Sequence, residues 1–351
     1  MYITSKTARV FSDENLNIIG VGSNQYVVDN TEFSNIIIIL DYLKTPKKME
    51  DIELLLKTKM IPLSCFYKLL DNKLIVAFNN NELEDRDIKN YLYIENIYNN
   101  PDKIIDNIRN CTFVIIGTGG IGNFVSFAIN SFNTNKIILV DGDNIEESNL
   151  NRQFLFTESD IGMPKVKILK RELEKRNKNS KIITYNSFSN LELMKKIWEE
   201  NKDENYFIIL SGDSEGIVRD ITEFAVKNEV PFLNVGYLND ISVIGPFFIP
   251  NFSRCPFCNN ALKIEAENLD ICNPNEVIDS INKNYTAPST FMNNSIASSM
   301  AMIDILHYFD GNYENINSLN SRIGISNKDF QFLKVDIKLD ENCICRSKNE
   351  V

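Results

Sequence analysis

The chain has 351 residues, 43% of them apolar and 24% charged, which is ordinary for a globular protein and long enough for one large or two modest domains. Its 48 acidic and 37 basic side chains leave a formal charge of −11, which argues against a general nucleic-acid or anionic-membrane surface and makes any phosphate site a local one. The first ten residues lack a basic segment followed by an apolar one, and no apolar run approaches the ~20 residues that span a bilayer, so the expectation is a cytoplasmic protein.

Residues 1–85 carry amphipathic stretches at Phe33–Leu43 and Met49–Lys57 and a polar break at Asn79-Asn80-Asn81. They read as a small separate module. Residues 86–351 are read as a second domain. There, apolar strands at Cys111–Ile116, Lys136–Val140, Lys181–Tyr185, Tyr206–Leu210 and Pro231–Val235 alternate with helix-length segments. That alternation predicts parallel β-α-β units and a doubly wound α/β sheet. An extended strand, Ser242–Ile249, then feeds Cys255-Pro256-Phe257-Cys258. A polar stretch, Lys263–Asn284, is long enough to be a crossing loop, and Ser295–Phe309 reads as a buried helix. The chain's one histidine, His307, falls in that helix and is read as structural.

Gly117-Thr118-Gly119-Gly120-Ile121-Gly122 directly follows the first strand of the second domain, the arrangement in which a tight turn and a helix start hold a phosphate through backbone N–H groups. Asp141 closes the next strand 24 residues after Gly117, close to the offset of ~20 for an acid that accepts ribose hydroxyls. Asn149-Leu150-Asn151-Arg152-Gln153 follows, and an Arg with two Asn in that loop suits a triphosphate better than a nicotinamide ring. Lys165, after Asp160-Ile161-Gly162, begins the next helix where an ammonium can reach the same phosphates. Asp213 lies just past the strand Tyr206–Leu210, at the carboxyl edge where open α/β sheets bind ligands, and a carboxylate there can hold Mg²⁺. The nucleotide indicated is ATP.

Gly117–Gly122, Asp141-Gly142-Asp143, Ser148–Gln153, Asp160-Ile161-Gly162 with Lys165, and Asp213 with Arg219 resemble the adenylating domain of the ThiF, MoeB and HesA family, relatives of ubiquitin-activating enzymes. Within that family, Gly236–Asp240, Gly245-Pro246, Ala287-Pro288 and Arg322-Ile323-Gly324-Ile325 resemble the branch that adenylates the microcin C precursor peptide. The resemblance implies a Rossmann-like adenylating domain with a small N-terminal α+β module that clamps a short precursor peptide, acting as a homodimer. It further implies that Gly117, Gly119, Gly120, Gly122, Asp141, Asp143, Asn149 and Gln153 cradle ATP, that Arg152 and Lys165 neutralise the triphosphate, and that Asp213 holds Mg²⁺. An Arg-x-x-Arg-Gln stretch of the family, whose second Arg reaches the partner's ATP, corresponds here to Arg86-Asp87-Ile88-Lys89-Asn90 and puts Lys89 in that place. The side-chain carboxylates of a maturing peptide, or a ubiquitin-like sulfur carrier, are the alternative substrates.

Seven cysteines are an odd number for a disulfide framework and favour metal binding or free thiols. Cys255 and Cys258 with Cys343 and Cys345 make two close pairs, the donor set of a closed structural Zn²⁺ site, although the second pair is one residue tighter than the family's usual spacing. Cys272 lies where sulfur-transfer relatives keep a reactive thiol, and it is read as an idle one.

Overall fold

The computed structural model describes residues 1–79, 84–201, 205–212, 216–260 and 285–346, which divide into two units, Met1–Asp102 and Lys103–Val351. In the first unit β1 (Tyr2–Thr4) pairs antiparallel with β5 (Ile75–Ala77), and β2 (Val10–Ser12), β3 (Asn17–Ile19) and β4 (Tyr26–Val28) form a second antiparallel sheet in that order. Helix α1 (Asn30–Tyr42) starts where the Asp29 carboxylate accepts the Glu32 N–H at 2.8 Å. Its Ile36, Ile39, Leu40 and the following Leu43 recur at helical spacing and pack with Ile52 and Leu56 of α2 (Met49–Lys59) and Phe66 and Leu69 of α3 (Leu63–Asp71). The first unit therefore has a core of its own. Helix α4 (Ile88–Ile97) belongs to it, and the Ser5 hydroxyl donates to Glu95 on that helix at 3.2 Å. The units thus divide at Asp102/Lys103, whereas the sequence placed the division at residue 85.

Helix α5 (Pro101–Arg109) leads into β6 (Cys111–Ile116), α6 (Gly120–Asn130), β7 (Lys136–Val140), α7 (Lys165–Arg176) and β8 (Lys181–Tyr185). Then come α8 (Leu191–Asn201), β9 (Asn205–Leu210), α9 (Ile217–Asn228), β10 (Phe232–Leu238), β11 (Ile241–Phe248), α10 (Phe291–Asp310), β12 (Ser321–Ser326) and β13 (Phe332–Asp336). One eight-stranded sheet runs β13-β12-β11-β10-β9-β6-β7-β8; the five strands from β10 to β8 are parallel, and β11, β12 and β13 extend it antiparallel.

All six residues of β6 are buried because helices cover both faces of the sheet. On one side Phe113 and Phe207 meet Phe309 of α10, with ring centroids 5.8 and 6.2 Å apart; on the other Val114, Ile116 and Ile208 pack with Ile221 and Phe224 of α9. This double burial is why the parallel strands read in the sequence as unbroken apolar runs. From β6 the chain steps outward to β7 and β8, then returns to β9 on β6's other side. The topological switch point therefore lies between the carboxyl ends of β6 and β9.

Candidate active site

The glycine turn is built by crowding at that switch point. Gly117 adopts φ +85°, and a Cβ on it would stand 2.7 Å from the Gly212 backbone nitrogen at the end of β9. The Ser211 hydroxyl bridges the same two strand ends, donating to the carbonyls of Ile116 (3.1 Å) and Gly117 (2.9 Å). Gly122 lets α6 press directly on the turn, since a Cβ there would come 2.1 Å from the Gly117 carbonyl oxygen. Gly119 precedes the helix, and no side chain caps its start. The first amides of α6 therefore face a cleft of about 650 Å³ as backbone donors, reinforced by the positive end of the helix.

Acidic and basic groups ring this cleft. Asp141 is buried, and its carboxylate accepts from the Thr118 N–H (2.6 Å), the Thr118 hydroxyl (2.9 Å) and the Asp143 N–H (2.8 Å). It ties the glycine turn to the end of β7 while lining the cleft. Lys165, the first residue of α7, is buried, and its ammonium lies 2.7 Å from the half-exposed carboxylate of Asp143. Arg152 lines the cleft from a turn that Asn149 fixes by accepting the Glu146 N–H at 3.1 Å. Among the described residues only Nη1 of Arg152 is engaged, donating to the Ser148 carbonyl (3.0 Å) and Asn151 Oδ1 (2.8 Å), and the guanidinium makes no ion pair. Gln153 beside it is 2% exposed, and its Oε1 is buried without a hydrogen-bond partner among the described residues. A buried acceptor left unmet costs ~1–3 kcal/mol, so this one marks a place for a ligand or water donor.

Every described residue that lines the cleft belongs to the second unit. Lys89 is exposed on α4 in the first unit. Asp213 and Cys272 lie outside the described residues, as does the polar stretch Lys263–Asn284.

Sequence reasoning missed two asparagines, Asn294 and Asn123. Asn294 of α10 is buried, and its Nδ2 donates to the Ser289 hydroxyl (3.0 Å) and the Thr290 carbonyl (2.7 Å), while its Oδ1 lies 2.3 Å from where a Gly120 Cβ would be. Asn151 donates to the Ser289 carbonyl at 3.0 Å, joining the Arg152 turn to the same lead-in. Asn123, fully buried in α6, bonds both the glycine turn and the segment after Arg152. An asparagine inside an apolar helix is disfavoured unless its side chain has work elsewhere, and that is the signal that could have found Asn123 and Asn294. Arg322 on β12 also lines the cleft, and burial pushes its guanidinium down to about 10.

Residues 93–346 match the model of the ThiF family. The chain belongs to the ThiF family. Its members are ATP-dependent adenylyltransferases.

Among curated ThiF relatives, the tRNA threonylcarbamoyladenosine dehydratase of Bacillus subtilis is 25% identical over 130 residues, 37% of this chain and 50% of that protein. SUMO-activating enzyme subunit 2 of Dictyostelium discoideum is 29% identical over 143 residues, 40% of this chain and 21% of that protein. The chain thus spans half or less of the length of these two relatives. Likeness to solved structures is more extensive. E. coli MccB with ATP superposes with a TM-score of 0.81 at 28% identity, covering 98% of this chain and 99% of that one. The microcin C7 biosynthetic enzyme MccB in complex with N-formylated MccA does so with a TM-score of 0.82, at the same identity and coverage.

The ThiF domain also gathers a cysteine centre. Cys255 and Cys258 follow β11, and Cys343 and Cys345 lie beyond β13. The four buried sulfurs lie within 4.8 Å of one another, with Cys255–Cys343 and Cys258–Cys345 both at 3.4 Å. The tight second pair closes on the first despite its spacing. Hydrogen bonding with Cys258 and Cys345, then burial, pushes the Cys255 thiol well up, so these groups can ionise together only if a cation balances them. Four such sulfurs form a donor set able to hold a metal ion. Arg219 of α9 lies over the Phe257 ring, 5.0 Å from its centroid, within the first cysteine loop.

Proposed function

We propose that this chain uses ATP to adenylate the C-terminus of a short ribosomally made peptide, in a microcin C-like antibiotic pathway. The observation that carries the reading is the likeness over 98% of the chain, first unit included, to MccB in its complexes with ATP and with N-formylated MccA. The cleft supports it. The triphosphate lies over the Gly117–Gly120 turn against the first amides of α6, and Asp141 accepts from the ribose. Lys165 exchanges Asp143 for phosphate oxygens, Arg152 offers its unengaged donors to the developing charge, and Asn149 and Gln153 hold that turn in place.

The peptide carboxylate attacks the α-phosphorus, an O–P bond forms, and the bond to the bridging oxygen breaks to release pyrophosphate. Little is asked of a protein nucleophile, because positioning and charge stabilisation supply the acceleration. A terminal asparagine activated in this way closes through its side-chain nitrogen to a succinimide and expels AMP. That nitrogen loses its proton and attacks the α-phosphorus of a second ATP, an N–P phosphoramidate bond forms as pyrophosphate leaves, and water reopens the ring. Mg²⁺, when bound, neutralises phosphate charge, and Asp213 is the residue assigned to hold it. Zn²⁺ in the cysteine centre serves folding. The first unit clamps the peptide, and the protein works as a cytoplasmic homodimer in which Lys89 reaches the partner's ATP. No helix among the described residues is long and apolar enough to cross a membrane.

Pyrophosphate exchange tests the first step. Radiolabelled pyrophosphate should enter ATP only when Mg²⁺ and a short peptide ending in asparagine are both present. Exchange that ignores the peptide, or none across a panel of such peptides, would overturn the reading.

A further inference from the structure

We infer that Asn123 is a positioning residue that sets Arg152 against the phosphate-binding turn, an inference that rests on the adenylation reading of the cleft. Its side chain spans two segments that otherwise belong to different parts of the chain. Nδ2 donates to the carbonyls of Thr118 (2.9 Å) and Gly119 (3.1 Å) on the glycine turn, and Oδ1 accepts the N–H of Leu155 at 3.0 Å. Leu155 lies three residues after Arg152 and next to the buried Phe156, whose N–H donates to the Gln153 carbonyl at 3.0 Å. The Gln153 N–H donates in turn to the Asn149 carbonyl at 2.9 Å. Arg152 therefore sits on a short chain of hydrogen bonds whose fixed end is the Asn123 carboxamide.

The chemistry of that group matches its task. One amide supplies a donor end and an acceptor end in a plane, so it can join two backbone carbonyls to one backbone amide with no charge brought near the phosphates. Asn123 is 0% exposed and touches no solvent, which keeps these bonds from being exchanged for water. Helix interiors disfavour asparagine, yet here the side chain pins the base of α6, whose first amides face the cleft, to the arginine turn. The glycine turn is also held by Asp141 through Thr118 and by the Ser211 hydroxyl through Ile116 and Gly117, so its backbone donors rely on Asn123 less than the register of the Arg152 guanidinium does. Asn123 should accordingly govern turnover more than nucleotide binding.

The test is a double-mutant cycle between Asn123→Ala and Arg152→Ala, read as peptide-dependent pyrophosphate exchange and as ATP affinity by equilibrium binding. In the otherwise wild-type protein, Asn123→Ala should lower the exchange rate at least tenfold while ATP affinity changes less than threefold. In the Arg152→Ala background the same change should cost less than threefold in rate. Asn123→Gln, which keeps the carboxamide chemistry, should recover part of the loss. Trypsin cleavage after Arg152 and amide exchange at Leu155 supply a readout independent of catalysis: both should quicken at least tenfold in folded Asn123→Ala, with exchange in β6 and β7 unchanged. If wild-type protein shows no exchange activity, the adenylation reading fails and the protease and amide measurements still decide the tie. Equal rate losses in both backgrounds, or an Arg152 segment as protected in Asn123→Ala as in wild type, would overturn the inference.

Discussion

Two charged side chains, half-buried Arg152 in the cleft and buried Asp160 outside it, show how single residues divide the work of function and stability. Among the described residues Arg152 is held by one nitrogen and it lines the cleft, and the proposed reaction assigns it to the charge that develops during attack. Arg152→Ala should depress peptide-dependent exchange by ~10²-fold or more with the fold intact; an unchanged rate in a steady-state assay would reduce it to a surface cation. Asp160 works for stability. Burial alone would raise its carboxyl, but hydrogen bonds from the Thr157 hydroxyl and N–H, together with Arg171 at 2.8 Å, outweigh burial and hold it below the usual carboxylate range. A group whose folded value is depressed stabilises the protein fully above its unfolded value of about 3.9, and that stability drains away as pH falls through the folded value. Asp160→Asn should therefore lower the melting temperature at neutral pH and flatten its decline below about pH 4. Parallel melting curves across that range would contradict the assignment.

At the scale of elements, the β6–α6 junction is set by contact distance. Gly122→Ala would push a methyl to 2.1 Å from the Gly117 carbonyl and force the helix off the strand, and it should cost about 1–3 kcal/mol in a denaturant titration, with weakened ATP binding. An unchanged midpoint would mean that the junction yields freely. The cysteine centre holds the end of the chain by its sulfurs, so Cys255→Ser with Cys258→Ser should lose bound zinc, counted by elemental analysis, and lower the melting temperature in the absence of ATP. Protein purified without chelators that carries no zinc would remove the metal. Strands such as β6 and β7 were legible residue for residue, because burial on both faces writes them as unbroken apolar runs. The three-residue strands of the first unit were not legible, since β2 and β4 are too short to show a period of two. Among site residues, the glycines, Asp141, Arg152 and Lys165 stood out because their chemistry follows a local motif. Asn123 and Asn294 did not, because Asn123 meets Leu155, 32 residues on, and Asn294 meets Gly120 of α6, and only the folded chain brings such groups together.

Over the whole molecule, the two units carry different kinds of information. The second holds the complete described cleft and the cysteine centre, and its family membership accounts for adenylate chemistry in general. The first has an independent core with no motif of reaction chemistry, and its likeness to MccB over the full chain is what narrows the proposed substrate to a short peptide. The same fold serves many reactions, so the chemical form of the product separates this account from its alternatives more sharply than any rate. The decisive measurement is mass spectrometry of a short peptide ending in asparagine after incubation with the 351-residue chain, ATP and Mg²⁺. The expected product is a peptide heavier by one adenylate and stable to hydroxylamine, as a phosphoramidate is and a mixed anhydride is not. A peptide lighter by water with no nucleotide attached would contradict it.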